Sequence, residues 1–414
     1  MDGVSNYILR YCLYLLVCCS LLAGQSGTVL ARPVSLETAQ QVAVNWLKQR
    51  TGVQKNISSA VPGVLKMTKQ SLSPALYTIN MDGGGWVLVS GDDVAYPIIG
   101  YALKGSASQE HIPPAFQEWI NGAQKTIRNA AQKALNTLPA NRVSAKNRTV
   151  WETLKMPLHQ VSSVQAIGVS PLLRTTWSQG QYYNKLCPYD PSAPDWADHR
   201  TFVGCVATAM GQVMKYHNWP DQGVGTHSYS HPTYGTLSAN FGATRYNWGA
   251  MPWGSVTEYN TAVATLLYHA GVSLEMNYGP DGSGAYTGWV AVALKTYFKY
   301  KDTVTYEHRA SFSTGVWENK LRTELDAHRP LVYRGNGTGG HAFVCDGYSG
   351  TNYFHFNWGW DGWYDGYFYL SDLTPGDYSF NSYQGAVLGI EPDGKPEQPK
   401  MLNLTSILSL LLGK

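Results

Sequence analysis

The run Val203-Gly204-Cys205-Val206-Ala207-Thr208-Ala209-Met210-Gly211-Gln212-Val213-Met214-Lys215-Tyr216-His217 constrains this chain more than any other stretch. A glycine and a cysteine lead into about three helical turns of Ala, Met, Gln and Val with hardly a charge, which predicts a buried helix with Cys205 in its first turn. The unpaired N–H groups and the positive dipole end at that position favour S⁻ over SH and lower the thiol pKa from its free value of about 8.5. The competing reading is a small buried hydrophobe, since cysteine is among the most buried residue types. Which one holds depends on whether the rest of the chain supplies a base.

The 414 residues allow two or three domains, and 44% hydrophobic against 14% charged residues is enough to bury large cores. Lys and Arg number 31 against 28 Asp and Glu, so charge makes no case for a nucleic-acid partner. The 28 Tyr, 14 Trp and 42 Gly favour strands, tight turns and aromatic-walled clefts. A sugar-stacking surface is the rival meaning of those aromatics.

Arg10, the apolar run Tyr11 to Ala23 and the small-residue pattern Val29-Leu30-Ala31 read as a signal peptide over residues 1–31. The expected location is therefore outside the cytoplasm, secreted or at the cell surface. Cys18 and Cys19 lack the small residue that precedes a lipidated cysteine, and no later run reaches the roughly 20 apolar residues of a membrane span. Removal of the signal leaves Cys187, Cys205 and Cys345, an odd number for an exported protein, so at least one thiol stays free or pairs with another molecule.

A first domain is expected over residues 32–165. Ser35-Leu36-Glu37-Thr38 caps a helix through Lys48 that buries Ala39, Val42, Val44, Trp46 and Leu47. Strands follow at Ala75 to Ile79 and Gly85 to Ser90, then a helix from Ala115 to Leu138 with Phe116, Trp119, Ile120 and Ile127 at helical spacing. None of these residues suggests chemistry. The stretch Pro139 to Ala166, with Arg142, Lys146, Arg148 and Lys155, reads as a linker open to proteolysis. A second domain spans 166–391, and residues 392–414 form a linker and a short apolar tail.

A cysteine nucleophile needs a base, something to orient the base, and donors for an oxyanion. In Gly339-Gly340-His341-Ala342-Phe343-Val344-Cys345-Asp346, His341 follows a glycine turn at the start of a strand, and glycines let backbone and substrate approach its ring. Asn357 comes 16 residues later, at the end of Tyr353-Phe354-His355-Phe356-Asn357, so one hairpin brings the two together. Its amide oxygen can accept the imidazole N–H, and Trp358 can shield that bond from water. His341 follows Cys205 by 136 residues, the order and separation of papain-type enzymes, although Val206 replaces the aromatic residue that follows papain's cysteine.

The chain resembles the streptopain/interpain group of secreted bacterial cysteine peptidases over roughly residues 36 to 391. The motifs are Gly85 to Gly105, Trp177-Ser178-Gln179-Gly180-Gln181-Tyr182-Tyr183-Asn184, Gly204-Cys205-Val206-Ala207-Thr208-Ala209, Gly340-His341-Ala342-Phe343-Val344 and Asn357-Trp358-Gly359-Trp360. The resemblance implies an α+β, papain-like peptidase of two subdomains, a helical part carrying the cysteine and an antiparallel sheet carrying His and Asn, behind an α+β propeptide. It implies Cys205 as nucleophile, His341 as general acid and base, Asn357 and Trp358 as its support, and Gln179 with the Cys205 N–H as oxyanion hole. It also implies that the leader is an intramolecular inhibitor, and that protein or peptide substrates place a hydrophobic residue just before the one attacked. Met276, Ser283, Gly284, Gly339, Gly340 and Trp360 are the expected substrate-contacting residues. No cofactor or metal is implied. Two features depart from the pattern: Tyr182 stands where the family often has proline, and the stretch after Pro375 is shorter than the best-known member's mobile loop.

Rival readings stay open at this level. Cys187, Cys205, His341 and Cys345 offer four zinc ligands without the short paired spacing of zinc motifs, and a Cys187–Cys345 disulfide is a second rival. His355 reads as a strand residue, His217 as a partner of the last helix carbonyls, and Asp361 and Asp365 as turn residues. An acyltransferase or amidase would use the same triad, and a binding module would carry it as a relic.

Overall fold

The computed structural model describes residues 33–62, 74–108, 112–135, 143–162, 167–336, 340–370 and 384–395. The expected signal peptide, Gly339, the segment after Pro375 and the apolar tail lie outside them.

Helix α1, Leu36–Thr51, starts where the Ser35 hydroxyl accepts the Thr38 N–H at 3.1 Å and stops at left-handed Gly52. Its buried face holds Ala39, Val42, Trp46 and Leu47 as expected, with Ala43 and Asn45 buried in place of Val44. Asn45 is tolerated there because its Nδ2 donates to the Leu154 carbonyl at 2.7 Å. Strands β1 (Ile57–Pro62), β2 (Leu76–Met81), β3 (Trp86–Ser90) and β4 (Ile98–Ala102) form an antiparallel meander, and helix α2 (Pro114–Leu135) follows.

The expected linker is partly structured. Ala145–Leu154 forms helix α3, with Asn147, Trp151 and Leu154 buried, and Trp151 Nε1 donates to the Ala95 carbonyl at 2.9 Å. Three inward residues on one short helix are too few to show as a long apolar period. They are enough to dock it beside α1.

The rest begins with β5 (Gly168–Val169) and α4 (Cys205–His217), then the hairpin β6 (Thr226–His231) and β7 (Gly235–Asn240). Helices α5 (Thr261–Ser273) and α6 (Trp289–Tyr297), β8 (Thr305–His308) and α7 (Thr314–Asp326) lead to β9 (Leu331–Asn336), β10 (Gly340–Ser349), β11 (Tyr353–Asn357), β12 (Gly366–Tyr369) and β13 (Gly385–Leu388).

One antiparallel sheet runs through the molecule in the order β1-β2-β3-β4-β12-β11-β10-β9-β13-β8, with β5 added on β10. Its junction is β4 against β12, where Tyr101 faces Tyr367 and Gly100 faces Phe368. A Cβ on Gly100 would come 2.6 Å from the Phe368 ring, so the missing side chain is what lets the N-terminal strands close on the C-terminal ones.

Strand alternation sorts the side chains of the C-terminal strands into two cores. Val332, Ala342, Val344 and Val387 face the core that contains α4, whereas Leu331, Tyr333, Phe343, Cys345, Ala386 and Leu388 join a core shared with Trp86, Phe116, Trp119 and Ile120 of the N-terminal layer. The N-terminal layer is thus built into the same hydrophobic interior. Beyond β13, Pro392 bridges Tyr300, the Asp393 N–H donates to the Lys299 carbonyl at 2.9 Å, and the Lys395 ammonium bonds the His217 carbonyl. The first part of the expected C-terminal linker is therefore docked. The cation at the end of α4 is Lys395 and not His217, whose ring is packed by Tyr216 and Tyr300.

Candidate active site

Cys205 opens α4, and Gly204 before it has φ 91° and ψ 136°, a conformation essentially reserved for glycine. A Cβ on Gly204 would lie 2.7 Å from Met276 Sδ and 3.2 Å from the Ser283 carbonyl. Two expected substrate-contacting residues are thereby placed against the turn that delivers the cysteine. Ser283 Oγ accepts the Gly279 N–H at 3.1 Å, and Gly284 pairs with Asn277 with open space where its side chain would be.

The thiol lies against β10: the Ala342 N–H donates to Cys205 Sγ at 3.4 Å. His341, half-buried, is the neighbouring residue of that strand, so α4 and β10 set the thiol of the expected nucleophile against the residue next to the expected base. Gly340 opens the strand opposite Asn336. Strands β10 and β11 form the anticipated hairpin with Val344 facing Asn357, three residues along from His341.

The thiol pKa differs from the sequence expectation. Burial raises it above 9.0, and the N–H groups of Ala342, Val206 and Cys205 with the Arg334 charge pull it back only in part. The helix start supplies the donors that sequence reading anticipated, but the crowding of the thiol by its surroundings is a tertiary effect. Burial also pushes Cys187 up to about 12 and Cys345 well above 9.0. Among the described residues Cys187, Cys205 and Cys345 are free, and Cys187 and Cys345 sit in different cores, so the disulfide between them and the four-ligand zinc cluster are not formed. Among the described residues no group of three His, Cys, Asp or Glu is placed to hold a metal ion.

Gln179 is buried, and its carbonyl accepts the Val203 N–H at 3.0 Å, which ties its loop to the residue two before Cys205. Tyr182, in the same loop, has φ 75°, a value proline's ring forbids, so the departure noted in the sequence has a backbone cause. Asn357 is buried. Its Nδ2 donates to the Thr175 carbonyl at 2.7 Å, and its Oδ1 accepts from Gln212 Nε2 and from the Gly359 N–H, both at 3.0 Å. Trp358 lies in the shared core, its ring 4.6 Å from Phe343 and 5.6 Å from Phe116 of α2. Trp360 is half-buried in the following turn, its carbonyl accepting the Trp363 N–H at 2.8 Å.

Sequence reasoning missed two features. Gln212 is fully buried in α4, and its Oε1 accepts the Trp177 N–H at 3.2 Å. The available signal was a lone amide seven residues after Cys205 in an apolar helix, which must find polar partners. The second is a group of charges beneath the strand ends. His355 Nδ1 meets Asp346 Oδ1 at 2.6 Å, and Asp365 Oδ1 accepts the Trp358 N–H at 2.9 Å. Burial pushes the Asp365 carboxyl up to about 7, so Asp365 is more than the turn residue its neighbours suggested.

Streptopain of Streptococcus pyogenes is 32% identical to this chain over 412 residues, covering 90% of this chain and 97% of streptopain. This chain belongs to the peptidase C10 family. The model of that family matches residues 177–368, and a Spi protease inhibitor model matches residues 31–127. The thiol protease/hemagglutinin PrtT of Porphyromonas gingivalis is 32% identical over 380 residues, 87% of this chain, which spans 42% of PrtT's length. The structure of a prointerpain A fragment of Prevotella intermedia superposes with a TM-score of 0.63 at 31% identity, covering 83% of this chain and all of that fragment. The molecule is a cysteine-type peptidase with a papain-like fold and a propeptide-like N-terminal layer. No helix among the described residues is long and apolar enough to cross a membrane.

Proposed function

We propose that the chain is a secreted cysteine endopeptidase made as a zymogen, with residues 1–31 as signal, 32–165 as inhibitory propeptide, 166–391 as the peptidase and 392–414 as linker and tail. The observation that carries the reading is the 3.4 Å approach of the Ala342 N–H to Cys205 Sγ, which sets the thiol beside the strand of His341. In the working enzyme the Cys205 thiolate attacks the substrate carbonyl carbon. The Cys205 N–H and the Gln179 amide receive the oxyanion, and protonated His341 gives its proton to the departing amine, leaving a thioester. His341 then takes a proton from water, which cleaves the thioester, releases the acid and restores the thiolate. Asn357 orients the imidazole and Trp358 covers it.

A hydrophobic side chain before the attacked residue is received near Met276, Ser283 and Gly284, with Gly340 and Trp360 along the cleft. The contact of Met276 and Ser283 with the position of Gly204 supports this assignment. Inhibition by the chain's own leader is supported by Phe116, which packs on Trp358 and stacks on Tyr364 at 4.2 Å. The test is to express residues 32–414 beside Cys205→Ala and follow both by mass spectrometry with casein present. Self-processing and casein cleavage are expected from the parent alone, and equal behaviour of the two removes the reading. Competition by an added amine for the acyl-enzyme distinguishes a transferase.

A further inference from the structure

The amide of Gln212 joins three parts of the site that the sequence scatters. It lies on the helix of Cys205, accepts from the backbone of Trp177 two residues before Gln179, and donates to Asn357 Oδ1. The polarity of the chain of bonds is fixed at both ends. The Trp177 N–H can only donate, so Gln212 must turn its oxygen there and its NH₂ toward Asn357. Asn357 must then present its oxygen, which leaves its NH₂ for the Thr175 carbonyl, a group that can only accept. The Gly359 N–H at the same oxygen agrees with this orientation. Of the three groups bonded to Asn357, Gln212 alone belongs to the nucleophile's helix. Gln212 and Asn357 are both buried, so water does not replace a lost partner at low cost.

We infer that Gln212 is a positioning residue, which locks the Asn357 amide against the nucleophile's helix and fixes its oxygen, not its NH₂, as the acceptor that an imidazole N–H can share with Gln212 and Gly359. The inference rests on the reading of Asn357 as the orienter of His341. Gln212→Glu is the selective perturbation: a carboxylate still accepts from Trp177 but sets oxygen against Asn357 Oδ1. Gln212→Met, of similar volume, removes both bonds and decides the matter if the buried carboxylate prevents folding.

The experiment uses the full chain, with kcat, KM and the pH profile of kcat/KM measured on a fluorogenic peptide for Gln212→Glu, Gln212→Met, Asn357→Ala and the double variant Gln212→Met with Asn357→Ala. Each Gln212 variant is expected to lower kcat by about tenfold or more with little change in KM. The alkaline limb is expected to move to lower pH, because the Asn357 oxygen stabilises the imidazolium, and Asn357→Ala should move it the same way. The double variant should be no slower than Asn357→Ala alone, because Gln212 acts through Asn357. A folded Gln212→Met with the parent's kcat and pH profile overturns the inference, as do losses that multiply in the double variant. If Asn357→Ala itself matches the parent, the orienting role of Asn357 falls first and takes this inference with it.

Discussion

Gly204→Ala is the substitution that most sharply tests how the cysteine is delivered. Gly204 holds φ 91° and ψ 136°, and an alanine there bears backbone strain of about 1–3 kcal/mol, toward the upper end because this region is nearly glycine-only. The new methyl meets Met276 Sδ at 2.7 Å and Cε at 2.8 Å. Methionine yields by changing rotamer, at about 0.5–1.5 kcal/mol for an off-rotamer side chain. The Ser283 carbonyl at 3.2 Å yields less readily, so the total comes to about 3–4 kcal/mol. Measured in the Cys205→Ala background to avoid self-cleavage, this predicts a melting temperature lower by at least about 5 °C. In the active chain, a shift of the thiol by about 1 Å costs on the order of a hundredfold in rate, read as casein hydrolysis. Met276→Ala added to Gly204→Ala should recover the steric part of the stability and leave the backbone part. A Gly204→Ala chain with the parent's melting temperature and casein rate refutes the reasoning.

Two further outcomes follow from the packing and the titrating groups. Phe116→Ala empties a buried site between Tyr364 and Trp358, a loss of about 3–5 kcal/mol at the seam between the N-terminal layer and the catalytic strands. Self-processing of the full chain should quicken, and an unchanged or slower rate would show that this seam does not hold the leader. His269, buried against the Tyr246 hydroxyl at 3.0 Å, has its pKa pushed down by burial to about 4 from 6.5. The unfolded chain therefore takes up a proton below pH 6.5 that the folded one refuses until about pH 4, so this contribution to stability is present above pH 6.5 and lost across that window. Urea midpoints of His269→Gln should fall less steeply than the parent's between those pH values, and identical slopes would discount His269.

Local elements and the main candidate residues were legible in the sequence because their signals are local. The Ser35 cap, the Gly204-Cys205 helix start and the strand alternation around His341 and Asn357 each show in a short window. The pairing of β4 with β12 was not legible, because it depends on Gly100 meeting Phe368 across more than 260 residues. Helix α3 escaped for a related reason, since Asn147 and Trp151 are buried by carbonyls of Val94 and Ala95 that no sequence period announces. The raised Cys205 pKa came from burial by the folded whole, which outweighed the helix-start effect that a single segment can reveal. Gln212 and Asp365 are polar groups whose partners are set by topology, so their bonds became visible only with the strands and helix in place.

The central claim, that the Cys205 thiol is the nucleophile, is tested most directly by titrating the self-processed protein with iodoacetamide at neutral pH and mapping the label by peptide mass. Cys187 and Cys345 are buried whereas Cys205 is partly exposed at the start of α4, so the expected result is one carbamidomethyl group per chain, on Cys205, with peptide hydrolysis falling in proportion to its incorporation. Full hydrolysis with Cys205 completely alkylated would contradict the account.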